Sequence, residues 1–427
     1  MCRLSIFTLL LMVLLIWPSN AKAIKEWTVC VYCCAEDENS SGIEEAMVKA
    51  TREVADLGSD QNVGFCIQID SGKWTNDYIK SFYPDGGDIG ATRVSVSGNK
   101  MYLEDNLGEI NMGDPYALWS FLQWVARKHT ARNYLLVFSG HGSGVFSWSG
   151  TGGTNSYNPG EVNFDPDNFV CYDQNDTLTV FEIRAVLEAF RDRLNRGRPI
   201  TAVAYDSCLA GSLEALYELR NTCQYTIASP TTIPITGLDY YAPVLALRRN
   251  PRLHPENLCE VVVKAFVDKS SNGNVMGAWR MRDIEELAGA VDRLGFELLR
   301  GVRQTGGALN ISGGLFKYYD GNYYWDSRKL FSAILNGQSY FKRNGRRVPY
   351  DYFEAIYDAA EYAKSCVNGA RVSLWYSGEY ADAKVGGLSI AWPKTDKYER
   401  LRPFYKSLSM SQELRWDEFL DYRIGIY

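Results

Sequence analysis

The feature that most constrains the fold is a set of short, continuously apolar runs separated by amphipathic segments. Trp27–Cys34, Val63–Ile69, Tyr134–Ser139 and Ile200–Ser207 are strand-length and apolar at successive rather than alternate positions. A strand that is apolar on both sides has to be covered on both sides, which is the situation of a parallel sheet between helices. The intervening segments supply those helices. Gly42–Leu57 places Ile43, Ala46, Met47, Ala50 and Val54 on one helical face. Asp114–Lys128 begins with an N-cap aspartate and Pro115 in its first turn, Thr179–Leu194 is capped by Thr177 or Thr179, and Ser212–Arg220 follows a strand directly. Thr92–Leu103 alternates around Ser97-Gly98-Asn99 and reads as a hairpin, and Tyr225–Ser229 is a further strand. This order predicts a three-layer α/β/α sandwich with a mostly parallel sheet.

Residues 1–23 stand outside that pattern. Arg3, the apolar run Leu4–Trp17 and the small-residue pattern Ala21-Lys22-Ala23 describe a secretory signal peptide. The alternative, an uncleaved membrane anchor, is disfavoured because the run is short for a hydrocarbon core of about 30 Å; no other stretch is long and apolar enough to span a membrane, so no span is expected after cleavage. Export to the periplasm, cell surface or medium follows. Losing Arg3 and Lys22 moves the net charge from −6 to −8. An acidic chain lacks the basic surface of a nucleic-acid binder. The strand–helix pattern predicts a catalytic domain over 24–280. Helical segments at Ile284–Val302, Arg328–Leu335 and Tyr352–Ser365, with strands at Val372–Tyr376 and Gly387–Trp392, predict a smaller α+β region over 281–427 packed on it. Between Gly140 and Asp176 runs a long Gly-, Ser-, Asn- and Asp-rich segment without helical period, the mark of a functional loop.

Two strand ends carry candidate chemistry. Leu135–Ser139 runs into Gly140-His141-Gly142, and Ala202–Ser207 runs into Cys208, with a helix just beyond. Parallel α/β sheets build sites at the carboxyl ends of their strands. A thiol near an imidazole or a helix N-terminus is an effective nucleophile, and the N–H groups of Gly142 and Cys208 can receive a developing oxyanion. The chemistry indicated is acyl transfer, most naturally peptide-bond hydrolysis. The chain has three histidines. His129 reads as a helix C-terminus and His254 as a helix entry, which leaves His141. Nine of the ten cysteines lie beyond the leader. Cys30-x-x-Cys33 sits in a buried strand rather than at a helix start, which argues against a redox motif. With Cys208 as nucleophile, an even eight remain. Neither Ser143 nor Ser207 lies in a G-x-S-x-G elbow, so a serine hydrolase is not expected.

The segments NMGDPYALWSFLQWVARKHTARNYLLVFSGHGSG, YDSCLAGSLEALYELR, YTIASPTTIPITGLDYY and GGLSIAWP resemble the clostripain family of cysteine endopeptidases, peptidase family C11. The resemblance implies the caspase-hemoglobinase fold. It implies His141 as catalytic base or acid, Cys208 as nucleophile, and Gly142 and Cys208 as oxyanion donors. It also implies Asp206 and Ser229 as substrate-binding residues, with Asp206 at the S1 pocket favouring Arg or Lys before the scissile bond. A carboxylate at Asp206 is equally suited to capping the next helix or bonding local backbone N–H groups. Ala228-Ser229 is followed by Pro230-Thr231, where the family usually has acidic residues, so one S1 charge is missing. No Lys or Arg occurs between Asn133 and Ile183, so an enzyme strictly specific for basic residues cannot cleave itself in the long loop.

The expected protein is thus an exported, monomeric cysteine endopeptidase acting on proteins or peptides, with no cofactor needed for the chemistry. Calcium is a candidate ligand for Asp165, Asp167, Asp173 and Asp176. The alternative is a catalytically inactive binding or adhesion module on the same scaffold.

Overall fold

The computed structural model describes residues 24–35, 41–58, 60–70, 90–145, 169–173, 176–269, 273–318, 324–337, 339–348, 353–393 and 395–424. The leader and most of the long loop, including Asp165 and Asp167, lie outside the described residues. The strands are β1 (Lys25–Cys34), β2 (Val63–Asp70), β3 (Ala91–Ser97), β4 (Lys100–Gly108), β5 (Ala131–Ser139), β6 (Val170–Asp173), β7 (Asp176–Leu178), β8 (Ile200–Asp206), β9 (Cys223–Ala228), β10 (Val275–Arg280), β11 (Ala308–Ile311), β12 (Tyr324–Asp326), β13 (Ser339–Arg343), β14 (Arg346–Val348), β15 (Arg371–Tyr376) and β16 (Ser389–Ala391).

Nine of them form one sheet in the order β15-β10-β9-β8-β5-β1-β2-β3-β4. The five central strands, β9 to β2, run parallel. The outer pairs on each side are antiparallel, β2-β3-β4 at one edge and β9-β10-β15 at the other. Successive residues of β1 feed different layers. Val29, Val31 and Cys33 pack with Met47, Ala50 and Val54 of helix Ser41–Leu57 and with Val262 and Phe266 of helix Pro255–Lys269. Cys30, Tyr32 and Cys34 face the opposite layer, with Leu118 and Phe121 of helix Pro115–Lys128 and Ile183 and Leu187 of helix Val180–Arg193. That two-sided burial is the physical reason for the uninterrupted apolar runs.

The helix starts are chemically fixed. Asp114 accepts the Tyr116 N–H, and Thr179, not Thr177, caps Val180–Arg193 in a reciprocal capping box with Glu182. His129 closes the first of these helices, packed against Trp124 and 3.4 Å from Glu104, and His254 accepts the Glu256 N–H at the start of Pro255–Lys269.

The C-terminal segment is more than a layer added to a finished domain. β15 pairs antiparallel with β10 and completes the central sheet, so the expected boundary at residue 280 runs through shared hydrogen bonding. β16 pairs with β12 and bridges Ser212, just after the Cys208 turn. β11, β13 and β14 make a small separate sheet.

Candidate active site

In the parallel register Ser139 of β5 lies beside Asp206 of β8. Two residues further on, each chain leaves the sheet at His141 and at Cys208, so the two reach the same edge at the same level. Both line one cleft of about 160 Å³. Its walls are Ile43, Ala46 and Met47 of helix Ser41–Leu57, the loop Ile233–Gly237, and Tyr240.

The two turns are in contact. A side chain at Gly142 would place its Cβ 2.7 Å from the Cys208 carbonyl oxygen and 2.9 Å from Ser207 Cβ. Glycine is required there by close approach. On its far side the histidine turn is held by β6: Cys171 N–H donates to the His141 carbonyl and Ser143 N–H to that of Phe169, each at 3.1 Å. Tyr324 donates its hydroxyl to the Ser143 carbonyl at 2.7 Å, so the C-terminal segment also buttresses this turn. Leu209 N–H is committed to Thr231 O. Among the described residues, the N–H groups of Gly142 and Cys208 make no such bond.

Cys208 is half-buried, as is Cys366, whereas the other seven cysteines beyond the leader are buried and none is in a disulfide. Ile233 N–H donates to Cys208 Sγ at 3.3 Å. Burial pushes the thiol above its ordinary range; the Ile233 N–H opposes this and the Asp206 charge adds to it. The next helix begins only at Leu213, behind its Ser212 cap, so its terminus does not adjoin the sulfur. Ser207 is 1 % exposed, which removes it as a nucleophile for the cleft.

Asp206 lines the cleft, yet its oxygens are occupied. Oδ1 accepts the Leu238 N–H at 2.8 Å, and Oδ2 accepts the Tyr240 hydroxyl at 2.7 Å and that of Ser139 at 3.4 Å. Burial raises its pKa, opposed by Tyr240, Leu238, Lys269 and Ser139. The next helix is capped by Ser212 instead, and the N–H that Asp206 accepts comes from Leu238, 32 residues on, rather than from its local backbone. Ser229, expected to bind substrate, is fully buried, accepts the Thr231 N–H, and is not among the cleft-lining residues. Ser229 lies just past β9, and Ile233–Gly237 forms the wall instead. Nothing in the sequence of that loop marked it as a wall, whereas Ile43, Ala46 and Met47 were visible only as an apolar helix face.

The model of the clostripain family, peptidase C11, matches residues 90–423. The chain belongs to the clostripain family. One curated relative, clostripain of Hathewaya histolytica, is 29% identical over 112 residues, which is 26% of this chain and 19% of that protein. The alignment with this curated clostripain therefore spans about a fifth of that relative's length. Among solved structures, a secreted C11 cysteine protease from Bacteroides thetaiotaomicron bound to an irreversible peptide inhibitor superposes with TM-score 0.58 at 15% identity, covering 93% of this chain and 99% of that one. An inactive zymogen C11 protease from Parabacteroides distasonis gives 0.59 at 16% identity, covering 92% and 98%. These likenesses establish the shared fold, the caspase-like α/β/α architecture of the clostripain family.

Proposed function

We propose that this clostripain-family protein is an exported cysteine endopeptidase with a His141–Cys208 dyad. The observation that carries the reading is the delivery of both residues from adjacent parallel strands to one cleft, with the Gly142 and Cys208 turns in contact. His141 takes the Cys208 proton as sulfur attacks the scissile carbonyl. The resulting oxyanion is received by the N–H groups of Gly142 and Cys208. Collapse of the tetrahedral intermediate breaks the C–N bond, and His141 returns the proton to the leaving amine. Water, deprotonated by His141, then hydrolyses the thioester and restores the thiol.

For the residue before the scissile bond, the reading is acceptance of Arg or Lys with modest discrimination. Among the described residues, Asp206 is the single carboxylate lining the cleft, and its acceptors are already engaged by Leu238, Tyr240 and Ser139. Its attraction for a guanidinium is correspondingly weaker than that of a carboxylate free to form a bidentate pair.

The test is cleavage of a mixed peptide library by the purified chain lacking residues 1–23, alongside Cys208→Ala. Hydrolysis by the parent and its loss in the variant are expected. A parent that binds peptides without cutting any, or a variant that cuts normally, refutes the proposal; the first outcome favours the binding-module alternative.

A further inference from the structure

Behind the His141 turn, two cysteine thiols meet. Cys34 ends β1 and Cys171 lies in β6, and both are buried. Their side chains are hydrogen-bonded to each other. The backbone delivers them from two sides of one turn. Cys33 is level with Ser139 in the β1–β5 register, so Cys34 abuts Gly140, where a Cβ would stand 2.7 Å from the Cys34 carbonyl oxygen and 3.4 Å from its Cβ. Cys171 N–H donates to the carbonyl of the next residue, His141. Cys171 also sits at a register shift of β6 against β7 and has a φ of 62°, a left-handed conformation that usually goes to glycine. A side chain kept there despite the strain points to a contact that needs it.

Among the described residues, other cysteines that could compete are engaged elsewhere. Cys33 faces the opposite layer and is hydrogen-bonded to Ser139. Cys66 stands across from Cys30, but the Cys30 thiol donates to the Leu135 carbonyl on β5, the far side of β1 from β2. Cys223 pairs with Thr226 at 3.3 Å.

We propose that Cys34 and Cys171 join in a disulfide when the chain folds in an oxidising compartment. The compartment rests on the reading of export, and the pairing rests on the geometry. Going from hydrogen-bond contact to an S–S bond of about 2.05 Å asks only for small side-chain rotations. The oxidant is an external disulfide, either a small molecule or an oxidoreductase in its disulfide form. One cysteine, as thiolate, attacks a sulfur of that disulfide and frees one thiol. The second, also as thiolate, attacks the mixed disulfide, forms the Cys34–Cys171 bond and frees the other thiol. Two protein thiols are oxidised, one external disulfide is reduced, and the two cysteine protons pass to its sulfurs. Burial, and then the adjoining Cys171 thiol, hold the Cys34 pKa well above the ordinary thiol range. The exchange therefore belongs to the folding chain, before β6 covers Cys34.

The bond acts on the histidine turn. β6 already holds that turn through Cys171 N–H, the Val170–Gly142 bridge and the Phe169 carbonyl. The disulfide ties β6 covalently to β1, the neighbour of β5, and so closes a ring around Gly140 and His141. It also joins positions about 140 residues apart, a long loop to constrain in the unfolded chain.

The experiment uses the chain lacking residues 1–23 with Cys208→Ala, so that its outcome is independent of peptidase activity. One sample is refolded in a mixture of reduced and oxidised glutathione, another is kept under dithiothreitol. Free thiols are alkylated in denaturant, and the digested protein is mapped by mass spectrometry. The nine cysteines beyond the leader, less Cys208, give eight alkylated thiols in the reduced sample. Two fewer are expected after oxidative refolding, with one cross-linked peptide joining Cys34 to Cys171 that disappears on reduction. The oxidised form should melt at least about 5 °C higher. Its 169–173 amides should exchange at least tenfold more slowly, and Cys34→Ala should remove both differences. Cys34 and Cys171 both alkylated in the folded, oxidatively refolded protein, or either one cross-linked to a different cysteine, overturns the pairing. Equal melting and exchange in the cross-linked and reduced chains overturns the role given to the bond at the histidine turn.

Discussion

Glu214, in the helix that follows Cys208, is 0 % exposed, and its Oε1 accepts the Ala391 N–H at 2.9 Å and the Tyr405 hydroxyl at 3.1 Å. Burial pushes its pKa from 4.5 to about 7, opposed by its bonds to Ala391 N–H, its own N–H and Tyr405. A carboxyl raised in the folded state binds its proton more tightly there than in the unfolded chain. Between those two values the folded protein holds more protons, so stability falls as pH rises through the window; it is unpenalised below about 4.5 and fully penalised above about 7. At 1.36 kcal/mol per pKa unit the loss approaches about 3 kcal/mol. Glu214→Gln preserves the shape and the Oε1 acceptor but cannot ionise. Measured by guanidinium unfolding in the Cys208→Ala background, the glutamine chain should gain on its parent by about 3 kcal/mol between pH 4.5 and pH 8. A stability difference between the two chains that stays constant across that range, to within about 1 kcal/mol, refutes the protonation argument.

Other perturbations test other parts of the site. Gly142→Ala forces a Cβ to 2.7 Å from the Cys208 carbonyl, and the shift needed to relieve it should lower kcat/KM about a hundredfold; unchanged turnover would refute the close-packed turns. Tyr240→Phe removes a donor to buried Asp206 and should cost about 2 kcal/mol in denaturant unfolding at neutral pH, whereas a cost near zero would mean that Asp206 does not depend on it. In His141→Ala the Cys208 thiolate should form only above the ordinary thiol range of about 8.5, since burial and Asp206 both disfavour it. Iodoacetamide rates that level off below that value would show that another group activates the sulfur.

The sheet's centre was legible because strands buried on both faces need apolar residues at every position, as in Trp27–Cys34 and Ile200–Asp206. That His141 and Cys208 line one cleft was legible for a related reason: each follows such a strand closely, beside small residues that permit close approach. What stayed hidden depends on contacts distant in sequence. β6 is four residues in a polar stretch, and its partners are the His141 turn and β7. β10 and β15 pair across some ninety intervening residues, a distance that no local pattern encodes. Ile43, Ala46 and Met47 have the same periodicity whether they meet core or cleft. Ser229 was placed by resemblance alone, and it is buried just past β9.

The grip of the C-terminal segment on the Cys208 turn has a consequence for timing. Ser389 N–H bonds the Gly211 carbonyl, and Ala391 N–H bonds Glu214, so Cys208 is followed within six residues by backbone and side chain held from near the chain's end. Synthesis proceeds from the N-terminus, and β15 and β16 leave the ribosome late. Until they arrive, β10 presents an unpaired edge and the Cys208 turn lacks its final support. A nascent chain thus carries Cys208 long before the contacts from β15 and β16 hold its turn, so on the proposed reading any hydrolytic competence waits for that segment.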